Sequence, residues 1–158
     1  MTEEKKLAEV FGQFQKKIDL AIENVLLSYV SPKFKELVWH QIATGGKRLR
    51  PFLAIIACRL LGGNLKDVIY PATGLEILHN YSLIIDDIID HSAFRRNQPT
   101  VWAKYGKSMA ECIAIDYGAS VFQAAERSSN PIEISKIFAK TMKEIVEGEI
   151  NDILFERV

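Results

Sequence analysis

The stretch LIIDDIIDHSAFRR, Leu83 to Arg96, sets Asp86, Asp87 and Asp90 in an otherwise apolar segment and follows them with Arg95 and Arg96. On an ideal helix, at about 100° per residue, Asp86 and Asp90 fall on one face and Asp87 lies beside them. Carboxylates this close repel one another. The flanking Leu83, Ile84, Ile85, Ile88 and Ile89 imply a packed helix, in which lost hydration adds to the cost. A divalent cation removes the conflict, and Mg2+ in particular is held by one or two carboxylates with waters and substrate phosphates completing the octahedron. Taken alone, DDxxD fits a solvated helix face or a helix C-terminus equally well. His79 stands seven residues before Asp86, two turns along the same face. It can point into the same cleft, although a lone helical histidine reads first as a satisfied core residue.

A second group lies in TGGKRLRP, Thr44 to Pro51, where Lys47, Arg48 and Arg50 follow Gly45 and Gly46 and precede a proline that opens a helix. Glycine lets the backbone turn closely around a ligand, and cationic side chains at a helix start suit a polyanion. Lys47 and Arg50, three residues apart, are spaced to grip one diphosphate. The alternative for a bare KRLR is a basic loop in solvent, and the pattern is not a Walker A loop, which needs GxxxxGK followed by Ser or Thr. For Arg95 and Arg96 the alternative is charge balance of the acidic helix end. Together, carboxylates for Mg2+ and two cationic groups for phosphate oxygens fit a reaction on diphosphate esters.

These side chains need a scaffold. The chain has 158 residues, 48% hydrophobic and 25% charged, enough for one sizeable core and a single domain over 1–158. Its 20 basic and 20 acidic residues cancel, so it lacks the overall basic field that draws proteins to nucleic acid or an anionic membrane. The start MTEEKKLAEV has no apolar signal core, and the longest apolar run, FLAIIAC, is far below the ~20 residues that cross a bilayer. A cytoplasmic protein without a membrane span is expected. Cys58 and Cys112 stand in no CxxC pattern and read as buried thiols, not as a zinc or disulfide framework.

Apolar spacing predicts helix almost everywhere. Leu7, Phe11, Phe14, Ile18, Ala21, Val25 and Tyr29 recur every three or four residues, so 5–29 reads as an amphipathic helix ended by Ser31-Pro32. That pair can cap a second helix, with Phe34, Leu37, Val38 and Ile42 as its stripe, running to Gly45-Gly46. Pro51 suits the first turn of a third, which stops at Gly62-Gly63. A fourth spans about Asp67 to His91, with Pro71 near its start. SAFRRNQPTVWAKYG is polar and holds Pro99 and Gly106, so it reads as a loop. Helix resumes over 108–128 and again from Ile132 to the end. No segment has strand periodicity, and the expected architecture is an all-α bundle of about six helices.

In this order and spacing, GGKRLRP, EILHNYSLIIDDIIDHSAFRR and QPTVWAKYG resemble the trans-isoprenyl diphosphate synthases, the polyprenyl synthetase family of all-α prenyltransferases. The resemblance runs from about Gly45 to Asp152. It implies the first half of the isoprenoid synthase fold, and an enzyme that condenses isopentenyl diphosphate with an allylic diphosphate to make short-chain isoprenyl diphosphates such as farnesyl or geranylgeranyl. Carried over by position, Asp86, Asp87 and Asp90 match the first aspartate-rich motif, which holds Mg2+ bridging to the allylic diphosphate. Gly46, Lys47, Arg50, His79 and Arg96 match contacts to isopentenyl diphosphate, and Arg95 a contact to the allylic diphosphate. The implied mechanism is metal-assisted ionisation, in which Mg2+ and arginine stabilise the departing diphosphate, the alkene attacks the allylic cation, and a proton is lost. The family also implies a homodimer, and a product length influenced by Ser82 and Tyr81, four and five positions before Asp86. Tyr81 is bulky enough to stop a short product, yet an ideal wheel sets it nearly opposite the aspartate face.

The departures are as informative. The family's second aspartate-rich motif, the lysine between the two motifs and the helices that close the cavity have no counterpart here. EGEINDILFE, Glu147 to Glu156, resembles the helix before that missing half, with Glu149 and Asp152 where a Gln and an Asp are frequent. Asn151, Asp152 and Ile153 resemble the second metal motif of terpene cyclases only in part, since Phe155 replaces its hydroxyl ligand. Ile115 stands where a glycine usually precedes the residue matching Asp116, and reads as a packing difference. The last helix runs into Val158 without a stop residue. The favoured reading is the N-terminal half of a longer prenyltransferase. A natural half-length protein that dimerises to oppose two aspartate motifs is a second, and a non-catalytic subunit that regulates a full-length synthase is a third.

Overall fold

The computed structural model describes residues 3–155, with side chains at Lys5, Glu9 and from Phe11 onward. The core place expected of Leu7 and the run of the last helix into Val158 lie outside the described residues. Helices form where the apolar spacing recurs: α1 Glu3–Leu26, α2 Lys35–Ala43, α3 Leu49–Leu60, α4 Leu65–Ile89, α5 Val101–Tyr105, α6 Lys107–Glu126 and α7 Pro131–Phe155. None of the described helices is long and apolar enough to cross a membrane.

α4 is the central element, packing against each of the other six helices. Its low polarity follows from that position, and Ala72, Ile77, Leu78 and Ile84 are buried, each large aliphatic among them contributing about 1.5–3 kcal/mol. Gly74 marks a close crossing. A Cβ there would come within 2.7 Å of the Phe138 ring and 3.2 Å of Ala124, so the missing side chain is what lets α6 and α7 approach α4. Ile18, Ile22, Val25 and Leu26 of α1 join the same core, and Tyr117 of α6, fully buried, donates its hydroxyl to the Val38 carbonyl of α2 at 2.8 Å.

Several expectations are corrected. Tyr29 is 94% exposed, because α1 ends at Leu26 and Tyr29 takes a left-handed φ of 60° as the chain turns toward Ser31-Pro32. Ser31 makes no side-chain cap bond; Pro32 instead opens a short 3-10 turn, Pro32–Phe34. Neither cysteine is buried: Cys58 is half-buried and Cys112 exposed. Cys112 lies off the apolar stripe of α6, which runs through Ala110, Ile113, Ala114, Tyr117 and Val121.

The expected loop 92–106 is ordered. Phe94–Arg95 (β1) pairs antiparallel with Gln98–Pro99 (β2). Arg96 and Asn97 both have positive φ, 52° and 61°, as the two central residues of a type I′ hairpin turn require. Two-residue strands show no alternation, which is why the sequence reads as a loop. Thr100 then caps α5, its hydroxyl accepting from the Ala103 amide at 3.3 Å and donating to the Ser92 carbonyl at 2.8 Å. This five-residue helix is the seventh, beyond the six expected.

Candidate functional site

The C-terminal end of α4 carries the acids. Asp86 and Asp90 line a cleft of about 590 Å³ together with Glu149, Asp152, Ile153 and Phe155 of α7. Asp87, one residue and about 100° further round, is only 1% exposed and faces the hairpin. There Arg95 donates from Nε to both carboxylate oxygens, at 3.0 and 3.1 Å, and its Nη2 lies 2.9 Å from Oδ1. The expected cluster of three is therefore a pair on the cleft and a third acid held by a guanidinium. Arg95, which the resemblance directs to a diphosphate, is paired with Asp87 in this structure.

Lost hydration pushes the Asp86 carboxyl above its ordinary range, with Arg95 opposing the rise and Asp90 and Asp87 adding to it. Burial pushes Asp87 up as well, and its bonds with Arg95 hold it back. Those same bonds raise Arg95 further above its already high value. Among the described residues no three His, Cys, Asp or Glu side chains are grouped to hold a metal. The cleft nonetheless fits Mg2+ in its donor chemistry, since it offers carboxylate oxygens only, and this ion takes few protein ligands and keeps waters or substrate oxygens for the rest.

The cationic pocket lies earlier on α4; His79 and Asp86 are seven residues, or about 10 Å of helix rise, apart. Its volume is about 610 Å³, and Gly46, Lys47, Arg48, Leu49, Arg50, Glu76, His79 and Arg96 line it. Of the six binding residues picked from the sequence, five line this pocket, Gly46, Lys47, Arg50, His79 and Arg96, while Arg95 lies against Asp87. The side chains of Lys47 and Arg50 are exposed and make no hydrogen bond or ion pair with other described residues. Arg96 reaches from the hairpin turn to donate to the Gly45 carbonyl. A Cβ on Gly46 would stand 2.7 Å from Arg48 Nη1 and 3.0 Å from Arg96 Nη1, so glycine lets the backbone pass between two guanidiniums. Burial, then the charges of Arg50, Arg96 and Arg95, lower the His79 pKa to about 4. At neutral pH its imidazole is uncharged, with one nitrogen to donate and one to accept.

Sequence reasoning missed Glu76 and Asp19, the two carboxylates that bind Arg48. Glu76 had a signal, since it is three residues before His79 and so shares its helix face. Asp19, on another helix, had none. Tyr81 lies on the side of α4 facing α6, its ring 3.7 Å from where a Cβ of Gly118 would be. Ile115 is 73% exposed and packs on nothing in its own core.

Fold and site together place the chain in the class of all-α isoprenyl synthases. It belongs to the polyprenyl synthetase family, whose model matches residues 31–158. It is 35% identical over 148 residues to a short chain isoprenyl diphosphate synthase of Methanocaldococcus jannaschii, a match covering 90% of this chain and 45% of that protein. It is 33% identical over 155 residues to a geranylgeranyl diphosphate synthase of Sulfolobus acidocaldarius, covering 92% and 47%. Among solved structures, the geranylgeranyl pyrophosphate synthetase of Pyrococcus horikoshii superposes with a TM-score of 0.84 at 32% identity, over 97% of this chain and 49% of that one. A decaprenyl diphosphate synthase from Rhodobacter capsulatus gives 0.82 at 29%, over 92% and 45%. The chain spans about half the length of the relatives it matches.

Proposed function

We propose that the chain forms the substrate-binding half-site of a prenyltransferase that condenses isopentenyl diphosphate with an allylic diphosphate to give a short-chain isoprenyl diphosphate. The observation that carries this reading is the separation on α4 of a carboxylate cleft, with Asp86 and Asp90, from a cationic pocket with Lys47, Arg50, His79 and Arg96.

Lys47 and Arg50 bind the diphosphate of isopentenyl diphosphate by charge-assisted hydrogen bonds. Gly46 lets the backbone approach it, neutral His79 donates one hydrogen bond, and Arg96 adds charge from the hairpin. Asp86 and Asp90 hold Mg2+, which when bound supplies Lewis-acid stabilisation to the departing allylic diphosphate. Asp87 keeps Arg95 fixed and ionised beside that charge, so that the guanidinium needs little reorganisation as the charge develops. The half-length span supports the view that a complete synthase supplies the opposite wall. Exposed Ile115 and Phe122 on α6, with Ile137 and Ile145 on α7, support a homodimer. Cytoplasmic placement agrees with the absence of a spanning helix among the described residues.

Calorimetric titration with pyrophosphate tests the reading. Magnesium is expected to strengthen binding in the wild type and to have no effect in Asp86→Ala, while Lys47→Ala weakens binding with or without the metal. Equal magnesium dependence in the wild type and Asp86→Ala would sink it.

A further inference from the structure

We propose that Asp19, Arg48 and Glu76 form a positioning clamp for the cationic pocket, one that sets the backbone from Gly45 to Arg50 so that Lys47 and Arg50 face a diphosphate. The proposal rests on that pocket being the diphosphate site proposed above. Arg48, 6% exposed, is the one buried cation among the described residues. Its Nε donates to Asp19 Oδ1 of α1 at 2.8 Å and its Nη1 to Glu76 Oε1 of α4 at 3.3 Å. Nη1 also donates to the Gly45 carbonyl at 3.3 Å, and Nη2 to the Ile42 carbonyl near the end of α2 at 3.4 Å. One guanidinium thus joins α1, α2 and α4.

With two carboxylates against it, the Arg48 charge is neutralised inside the protein and is not offered to a ligand. Lys47 and Arg50 on either side are the reverse, exposed and unpaired among the described residues. Arg48 also holds a left-handed backbone, φ 50° and ψ 34°, which costs a residue with a side chain about 1–3 kcal/mol and persists only where surrounding contacts hold it. That residue lies between Lys47 and Arg50, so its conformation sets the angle at which the two cations leave the loop. Gly46 completes the device, since any side chain there would collide with Arg48 Nη1. Asp19 lies outside the span 31–158 that the family model matches, so the pocket's support includes a helix outside that match.

Titration of inorganic pyrophosphate in the presence of EDTA probes the cationic pocket without the carboxylate cleft. Arg48→Met leaves Glu76 buried without its partner and can disrupt folding, so Asp19→Asn, at a half-exposed position, is the deciding variant. It is expected to weaken pyrophosphate binding roughly tenfold with an unchanged circular dichroism spectrum, while Asp19→Glu retains binding. Affinity unchanged in Asp19→Asn but lowered in Lys47→Ala overturns the clamp and leaves the pocket standing. A fall in melting temperature with unaltered affinity, or equal loss in Asp19→Asn and Asp19→Glu, overturns it too. No effect of Lys47→Ala overturns the pocket itself.

Discussion

His79 is partly buried and sits near three arginines, and its neutrality is the consequence of burial first and of those charges second. The unfolded chain takes up a proton on this side chain near pH 6.5, whereas the folded chain does not until about pH 4. Its contribution to stability is therefore complete above pH 6.5 and is lost as pH falls toward 4. His79→Gln is expected to flatten the fall in urea midpoint across that window, and an unchanged slope would contradict the assignment. Asp86 carries the opposite sign. Because folding raises its pKa, the stability linked to it is present at low pH and lost as pH rises through the folded value, so the ionised carboxylate destabilises the metal-free fold at neutral pH. Asp86→Asn should melt higher than wild type in metal-free buffer at pH 7 and lose the upward shift that magnesium with pyrophosphate gives the wild type. A magnesium-dependent shift persisting in the variant would remove Asp86 from the metal site. The acids were legible at this scale by residue type and spacing. That Asp87 turns from the cleft was not, because nothing in DDxxD says where Arg95 will lie.

Helix periodicity made most elements legible in outline, and misses fell where it fails. The first helix stops three residues short of its expected end because Tyr29 goes left-handed, and the hairpin carrying Arg95 and Arg96 is too short to show alternation. Packing between elements gives a sharp test at Gly74, where a methyl group would meet the buried Phe138 ring. Gly74→Ala should cost about 1–3 kcal/mol by overpacking, lowering the melting temperature by roughly 2–10 °C; a variant melting within a degree of wild type would show that α7 can yield there. The hairpin turn gives another. Asn tolerates the left-handed φ of position 97 and a β-branched residue does not, so Asn97→Val should destabilise by about 1–2 kcal/mol, whereas Asn97→Gly should be neutral or stabilising, both read from denaturant midpoints.

Over the whole molecule, α6 and α7 each leave large apolar side chains exposed. Ile115 and Phe122 are seven residues apart and so share one side of α6, and Ile137 and Ile145 are exposed on the helix packed against it. Surfaces of this kind mark association sites. Light scattering is expected to give twice the 17.9 kDa chain mass, and Ile115→Glu combined with Phe122→Glu to give the monomer with unchanged helicity. A wild-type monomer at high concentration would refute the dimer.

Residue order alone sets the all-α class, the shared face of Asp86 and Asp90, and the place of His79 two turns before Asp86. Those are relations within one helix, where rise and rotation per residue are set by the backbone. Which cations are free follows from how the helices pack. Arg95 is taken by Asp87 and Arg48 by Asp19 and Glu76, while Lys47 and Arg50 stay unpaired among the described residues. The partners of Arg48 stand 29 and 28 residues away in the chain, and a pairing across elements depends on how helices pack, which no local period encodes.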